Sequence, residues 1–232
     1  MSFALGSYLQ WRRHLQDNVV VNALALDACT KLKDNLNRAG AWSNLGSALQ
    51  EMRRFEDALH ALETARDLHQ QNDNTHGEAT AWNNLGNTYR ELRRFDDALH
   101  AHQTARDLHQ QNDNTHGEAT AWNNLGTAYR GLGRVDEAVV AGKRAVAMLA
   151  AARDWFRAGE AWGELATTLT AAGADTAQVR EAWEQSAQAY TQAGADEEAD
   201  VSREHANSTE IEEAQPPAVM DLPGKDAASE SG

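Results

Sequence analysis

The sequence holds one cysteine and three prolines in 232 residues, and it has no run of the roughly eighteen apolar residues that a bilayer-spanning helix needs. Each shortage excludes something. Cys29 has no partner for an intramolecular disulfide, which argues for a reducing compartment and for a small apolar role in packing. So few prolines, beside much Ala, Leu, Arg, Glu and Gln, favour helix over sheet throughout. The opening "MSFALGSYLQWRRHL" lacks a basic leader followed by a long apolar segment, so a soluble cytoplasmic protein with no membrane association is expected. No phosphate-cradling glycine loop, G-x-S-x-G or H-E-x-x-H is present. A non-enzymatic protein without catalytic residues, cofactor or metal is therefore expected.

Charge is unevenly spread. The net charge of −14 places −9 on residues 196–232, leaving about −5 for the rest. That C-terminal stretch also carries Pro216, Pro217, Pro223 and "KDAASESG". Residues 208–232 are accordingly expected to be a disordered acidic tail. No basic stripe runs along the chain, which disfavours nucleic acid; Arg53, Arg54, Arg93 and Arg94 recur where turns are expected.

What the sequence has in abundance is repetition. Trp42, Trp82, Trp122 and Trp162 fall at intervals of forty residues, Leu45, Leu85, Leu125 and Leu165 keep that register, and Thr64–Gly86 is identical to Thr104–Gly126. Within one unit Trp82, Leu85, Tyr89 and Leu92 share a helix face; after a break at "RRF", Ala98, Leu99, Ala105 and Leu108 mark a second helix. Small residues such as Gly86, Ala98 and Ala105 let the two approach closely. At the join, Thr75 and Glu78, repeated as Thr115 and Glu118, have the spacing of a reciprocal capping box, and Asn72, Asp73 and Asn74 suit a turn.

Hairpins are thus expected at about 2–36, 38–74, 76–114, 116–153 and 158–192, with a polar cap at about 195–207, all within one array spanning 1–207. The first is degenerate, with Leu5-Gly6 in register with Leu45-Gly46. In the last, Trp162 and Ala182 imply four extra residues in the turn "TAAGADTAQ".

Trp82-x-x-Leu85-Gly86-x-x-Tyr89 with Ala98 and Ala105, and Trp122-x-x-Leu125-Gly126-x-x-Tyr129 with Ala138 and Ala145, resemble the tetratricopeptide repeat over about residues 2–192. The usual repeat is about 34 residues. The longer unit here is similar to kinesin light chain repeats and to the C-terminal arrays of bacterial NB-ARC-type signalling ATPases. The resemblance implies an all-α, right-handed α-α superhelix of about five hairpins, whose first helices line a concave groove.

Beside the tryptophans, that groove would present Ser43, Asn44, Ser47 and Gln50, then Thr80, Asn83, Asn84, Asn87 and Arg90, then Thr120, Asn123, Asn124, Thr127 and Arg130. An amide both donates and accepts, so such a column can bond the backbone of an extended peptide, with the arginines favouring acidic or C-terminal carboxylate groups. Peptide binding through such asparagines is what the resemblance implies. Asn83 and Asn84 could equally serve to bond neighbouring hairpins together. Two other readings stay open: self-assembly as a homo-oligomeric scaffold through the terminal hairpins, and service as the sensor array of a larger signalling ATPase. The nine histidines are read as structural or solvated. Repeat-related pairs should stand two interaxial distances apart, each about 8–10 Å, too far to share zinc.

Overall fold

A computed structural model describes residues 2–214, with side chains described from 16 to 209. Among the described residues there are ten helices and no strand. They run α1 (Ser2–Leu32), α2 (Asn35–Glu51), α3 (Phe55–Gln71), α4 (Thr75–Glu91), α5 (Phe95–Gln111), α6 (Thr115–Gly131), α7 (Val135–Ala151), α8 (Trp155–Ala171), α9 (Thr176–Ala193) and α10 (Asp196–Ala214). Each helix packs on its neighbours in sequence, forming the hairpins α2/α3, α4/α5, α6/α7 and α8/α9. The result is an all-α repeat superhelix.

Helix after helix ends by the same device. A residue with positive φ recurs every twenty positions, at Lys33, Arg53, Asp73, Arg93, Asp113, Gly133, Arg153 and Gly173. The N–H after it bonds back to the closing helix, as Arg94 N does to Tyr89 O at 2.8 Å and Asn74 N to His69 O at 2.9 Å. Six of these eight positions are not glycine, at a cost of about 1 kcal/mol each that helix packing must offset.

The cores are small and alanine-rich. Leu49, Ala58 and Ala61 gather Trp42, Leu45 and Val19; Leu62, Leu85 and Ala101 gather Trp82 and Tyr89; the later hairpins repeat the scheme through Leu125 and Leu165. Trp82 and Trp122 are only partly buried. Arg66 and Arg106 cover their rings, each with its guanidinium carbon 4.9 Å from the centroid.

Four expectations change. Residues 2–36 do not form a hairpin: one helix, α1, runs through from Ser2 to Leu32. The helix starts at Thr75 and Thr115 are capped one residue earlier than the Thr/Glu spacing suggests. Asn74 Oδ1 accepts from Gly77 N at 3.0 Å and Asn114 Oδ1 from Gly117 N at 2.9 Å, so the threonines are already the first helical residues. The turn between α8 and α9 gains one residue rather than four, because Val179, not Ala182, takes the buried place held by Ala98 and Ala138. The cap helix α10 continues to Ala214; residues 215–232 of the acidic tail lie outside the described residues.

Candidate peptide-binding surface

Successive first helices, α2 with α4, α4 with α6 and α6 with α8, approach one another, whereas α3, α5 and α7 make no comparable approach. The layer whose members draw together lies inside the curvature of a stack. Helices α2, α4 and α6 therefore form the inner layer, and the polar residues beside their tryptophans are the candidate surface.

On α2 stand Ser43, Asn44, Ser47 and Gln50; on α4 Thr80, Asn83, Asn84, Asn87 and Arg90; on α6 Thr120, Asn123, Asn124, Thr127 and Arg130. Asn44 and Thr80 are exposed and the rest half-buried. Much of this polarity is already engaged within the protein. Thr80 and Thr120 donate to His76 O and His116 O at 3.0 Å, Thr127 to Asn124 O at 2.8 Å, and Ser47 to Ser43 O at 3.2 Å. Ser43 Oγ lies 3.4 Å from His69 Nε2, and Asn124 Nδ2 donates to Asn83 Oδ1 at 2.8 Å across two repeats. Asn44, Asn87 and Asn123 make no side-chain hydrogen bond among the described residues, which leaves their amides open to a ligand.

The register of Gln50, Arg90 and Arg130 is informative. Gln50 Nε2 donates to Asn84 O at 2.9 Å and to Thr88 Oγ1 at 2.5 Å in the next repeat. Arg130 does the same one repeat on: it reaches Glu164 O at 3.3 Å, Thr168 Oγ1 at 3.2 Å and the Glu164 carboxylate at 2.9 Å. Arg90 lies between these two and makes no such bond: Ala128 stands where Thr88 and Thr168 stand, the Asn124 carbonyl accepts from Thr127, and the Asn124 amide donates to Asn83. Its guanidinium instead pairs with adjacent Glu91 at 3.2 Å, with the side chain 34% exposed.

Arg90 opens into a depression of about 540 Å³ that it lines with Arg93, Phe95, Thr127, Arg130, Gly131 and Glu164. Arg93 lies over the Phe95 ring, 5.5 Å from its centroid. Gly131 makes room for that ring: a Cβ there would stand 2.4 Å from it. Of the three guanidiniums, Arg90 pairs with Glu91 and Arg130 with Glu164, while Arg93 lies over the Phe95 ring, so positive charge remains in excess and the arrangement suits an additional anionic group. Sequence reasoning missed Arg93, Phe95, Glu164 and Thr168 here. The forty-residue register carried the signal, since Glu164 and Thr168 align with Asn124 and Ala128.

The histidines divide into packing types. His60 and His100 set ring edges on Trp42 and Trp82 at 6.1 and 5.8 Å. His69 and His109 are buried against Gly77 and Gly117 and bond Asn74 and Asn114 at 3.1 and 3.2 Å; burial, and then the nearby His76, hold both below the ordinary histidine range. His102 is fully buried over Gly86 with neither ring nitrogen bonded, and burial pushes it down to about 3, helped by the charge on Arg90. Among the described residues no three metal-ligating side chains converge. None of the described helices is long and apolar enough to cross a membrane.

Helical hairpins repeated every forty residues, stacked with one layer inside, define a solenoid repeat protein. The tetratricopeptide repeat model matches residues 37–111 and 77–151, and the chain belongs to that family. A search of curated proteins gives no match. Among solved structures, BtubC (BKLC) from P. vanneervenii is similar at 21% identity and a TM-score of 0.57, over 96% of this chain and 82% of that one. A Podosopora anserina kinesin light chain protein with nearly identical tetratricopeptide-like repeats aligns at 17% identity and a TM-score of 0.65, over 82% and 93%. A Rap protein complexed with competence and sporulation factor aligns at 18% identity and a TM-score of 0.61, over 86% of this chain and 60% of that one. At these identities the likeness is one of fold.

Proposed function

We propose that the chain is a non-enzymatic, cytoplasmic binding module whose concave face holds an extended peptide or protein segment, with an acidic side chain or C-terminal carboxylate seated at Arg90. The observation that carries this reading is the broken register. Gln50 and Arg130 are consumed in bonds between repeats, whereas Arg90 makes no bond to the next repeat and pairs with adjacent Glu91, beside Arg93 in an open depression. The open amides of Asn44, Asn87 and Asn123 supply backbone partners along the same face, while Asn83 and Asn124 brace the repeats. The structural likeness to a Rap protein complexed with competence and sporulation factor is consistent with use of this fold for binding.

The test is a fluorescence-anisotropy panel of short peptides that vary in acidic content and in free or amidated C-terminus. Binders should be enriched in Asp, Glu or a free carboxylate. Arg90→Ala should weaken them about tenfold or more, the loss of one charge-assisted hydrogen bond. A panel with no acidic preference, or binding indifferent to Arg90→Ala, contradicts the proposal.

A further inference from the structure

We propose that the cavity between α8, α9 and α10 is a binding site for an organic cation of the alkylammonium type, the head group of lysine and of simple amines. The inference is independent of the reading of Arg90, being carried by the last interface of the stack.

Helix α10 stands where the first helix of a further repeat would stand. The turn between α8 and α9 holds one extra residue, so Ala199, Ser202 and Ala206 take the places of Ala158, Ala161 and Leu165 at an interval of forty-one. The earlier repeats bury Ala65, Ala105 and Ala145 on their second helices, and Ala81, Ala121 and Ala161 on the first helices that follow. Here the corresponding residues are Ser186 and Ser202, both buried, with their hydroxyl oxygens 3.1 Å apart. Leucine is lost as well, Ala206 standing where Leu85, Leu125 and Leu165 stand. With less side-chain volume, α10 packs on α9 but does not draw up to α8 as α8 does to α6. A cavity of about 350 Å³ remains, lined by both serines.

The serines are short of hydrogens. Ser186 Oγ lies 2.8 Å from Gly159 O and Ser202 Oγ 3.0 Å from Glu198 O, besides their contact with each other. Two hydroxyl hydrogens serve these three contacts. However they are arranged, at least one of the two oxygens, in side chains that are 0% and 3% exposed, accepts no hydrogen bond among the described residues. A buried acceptor of this kind is satisfied by a ligand that donates.

The walls supply the rest. Trp183 takes the position of Leu62 and His102, which pack over Gly46 and Gly86; Ala166 replaces that glycine, and the indole lies over Gly163 instead, where a Cβ would stand 3.1 Å from it. Its ring stacks on His205, with centroids 4.5 Å apart and planes inclined by 21°. Tyr190 lines the same cavity, with Glu197 and Glu198, and no lysine or arginine is among the described lining residues. The phenol of Tyr190 registers the excess of negative charge: burial, and then the carboxylates of Glu160, Glu198 and Glu164, push it up to about 12. Aromatic rings and carboxylates attract a cation, and an ammonium group brings three donors and no acceptor.

The test is a nitrogen–proton NMR titration of the full chain in phosphate buffer with butylammonium chloride, and with n-butanol as the neutral molecule of similar shape. Of the signals from seven tryptophan indoles, that of Trp183 is the one lost in Trp183→Phe. It should move saturably with butylammonium and stay in place with butanol. Glu198→Gln, and Ser202→Ala, which restores the residue of the earlier interfaces, should keep the far-ultraviolet helicity and each weaken binding about tenfold. A further titration with Nα-acetyl-lysine amide separates the sources. Tighter binding than butylammonium assigns the site to the lysine side chain of a bound partner, and weaker binding to a free amine; either result supports the proposal. No saturable movement with either amine, an equal response to butanol, or variants that bind as the wild type does would overturn it.

Discussion

His102→Leu should make the protein more stable and less sensitive to acid. In the preceding repeat the same position is Leu62, which packs over Gly46 as His102 packs over Gly86, so a leucine has a place prepared by the fold. The imidazole is fully buried with neither nitrogen bonded and is held at about 3, against about 6.5 in an unfolded chain. For a base whose folded value is depressed, the unfolded chain takes up the proton first. Its contribution to stability is complete above pH 6.5 and is lost progressively as the pH falls from 6.5 towards 3. At pH 5 that loss comes to about 2 kcal/mol from this residue alone. His69 and His109 shift in the same direction and remain in both proteins, so the comparison isolates His102. Urea denaturation of wild type and His102→Leu at pH 7.5 and pH 5 measures the difference. The variant should lose about 2 kcal/mol less than the wild type between the two pH values. Equal losses would refute the assignment of a buried, uncharged imidazole.

The caps and the glycines make further distinctions. Asn74→Ala and Asn114→Ala should each cost about 1 kcal/mol in chemical denaturation, and Thr75→Ala and Thr115→Ala much less; the opposite order would restore the Thr/Glu box. Gly86 and Gly126 sit in identical "AWNNLG" stretches but face different residues. A Cβ at Gly86 would stand 2.5 Å from the His102 ring, whereas at Gly126 the nearest atom is Ala138 O at 3.3 Å, since Gly142 lies opposite. Gly86→Ala should therefore cost about 1–3 kcal/mol by overpacking. Gly126→Ala should come out near neutral, helix propensity offsetting a slight squeeze, with thermal denaturation as the readout.

The repeat, the helices and their pairing were legible because periodicity encodes them directly: Trp, Leu and small residues recur wherever one helix must lie on another. Features decided by a single residue were less legible. Asn74 and Thr75 are both good capping residues, and the choice between them rests on the positive φ of Asp73, which brings Asn74 Oδ1 to the N–H of Gly77. The run-through at Arg13 escaped notice because α1 retains a first-helix pattern followed by a second-helix pattern, and pattern alone does not say whether the turn between them forms. In the inner stripe, composition gave the residue types but not their partners. Asn83 and Asn87 read alike in sequence, yet Asn83 bonds Asn124 while Asn87 stays open. The special position of Arg90 appears only when residues 88, 128 and 168 are compared across repeats as threonine, alanine and threonine.

Arg90 and Arg130 share one register and differ in what they already hold, so their alanine variants test the account most directly. Measured side by side for urea stability and for affinity to an acidic peptide selected from the panel, Arg90→Ala should leave stability within about 0.5 kcal/mol and weaken binding about tenfold. Arg130→Ala should lower stability, by releasing Glu164 and Thr168. If Arg90→Ala destabilises the fold as much as Arg130→Ala and leaves peptide affinity unchanged, the arginine is a brace between repeats and the binding reading of the concave face is wrong.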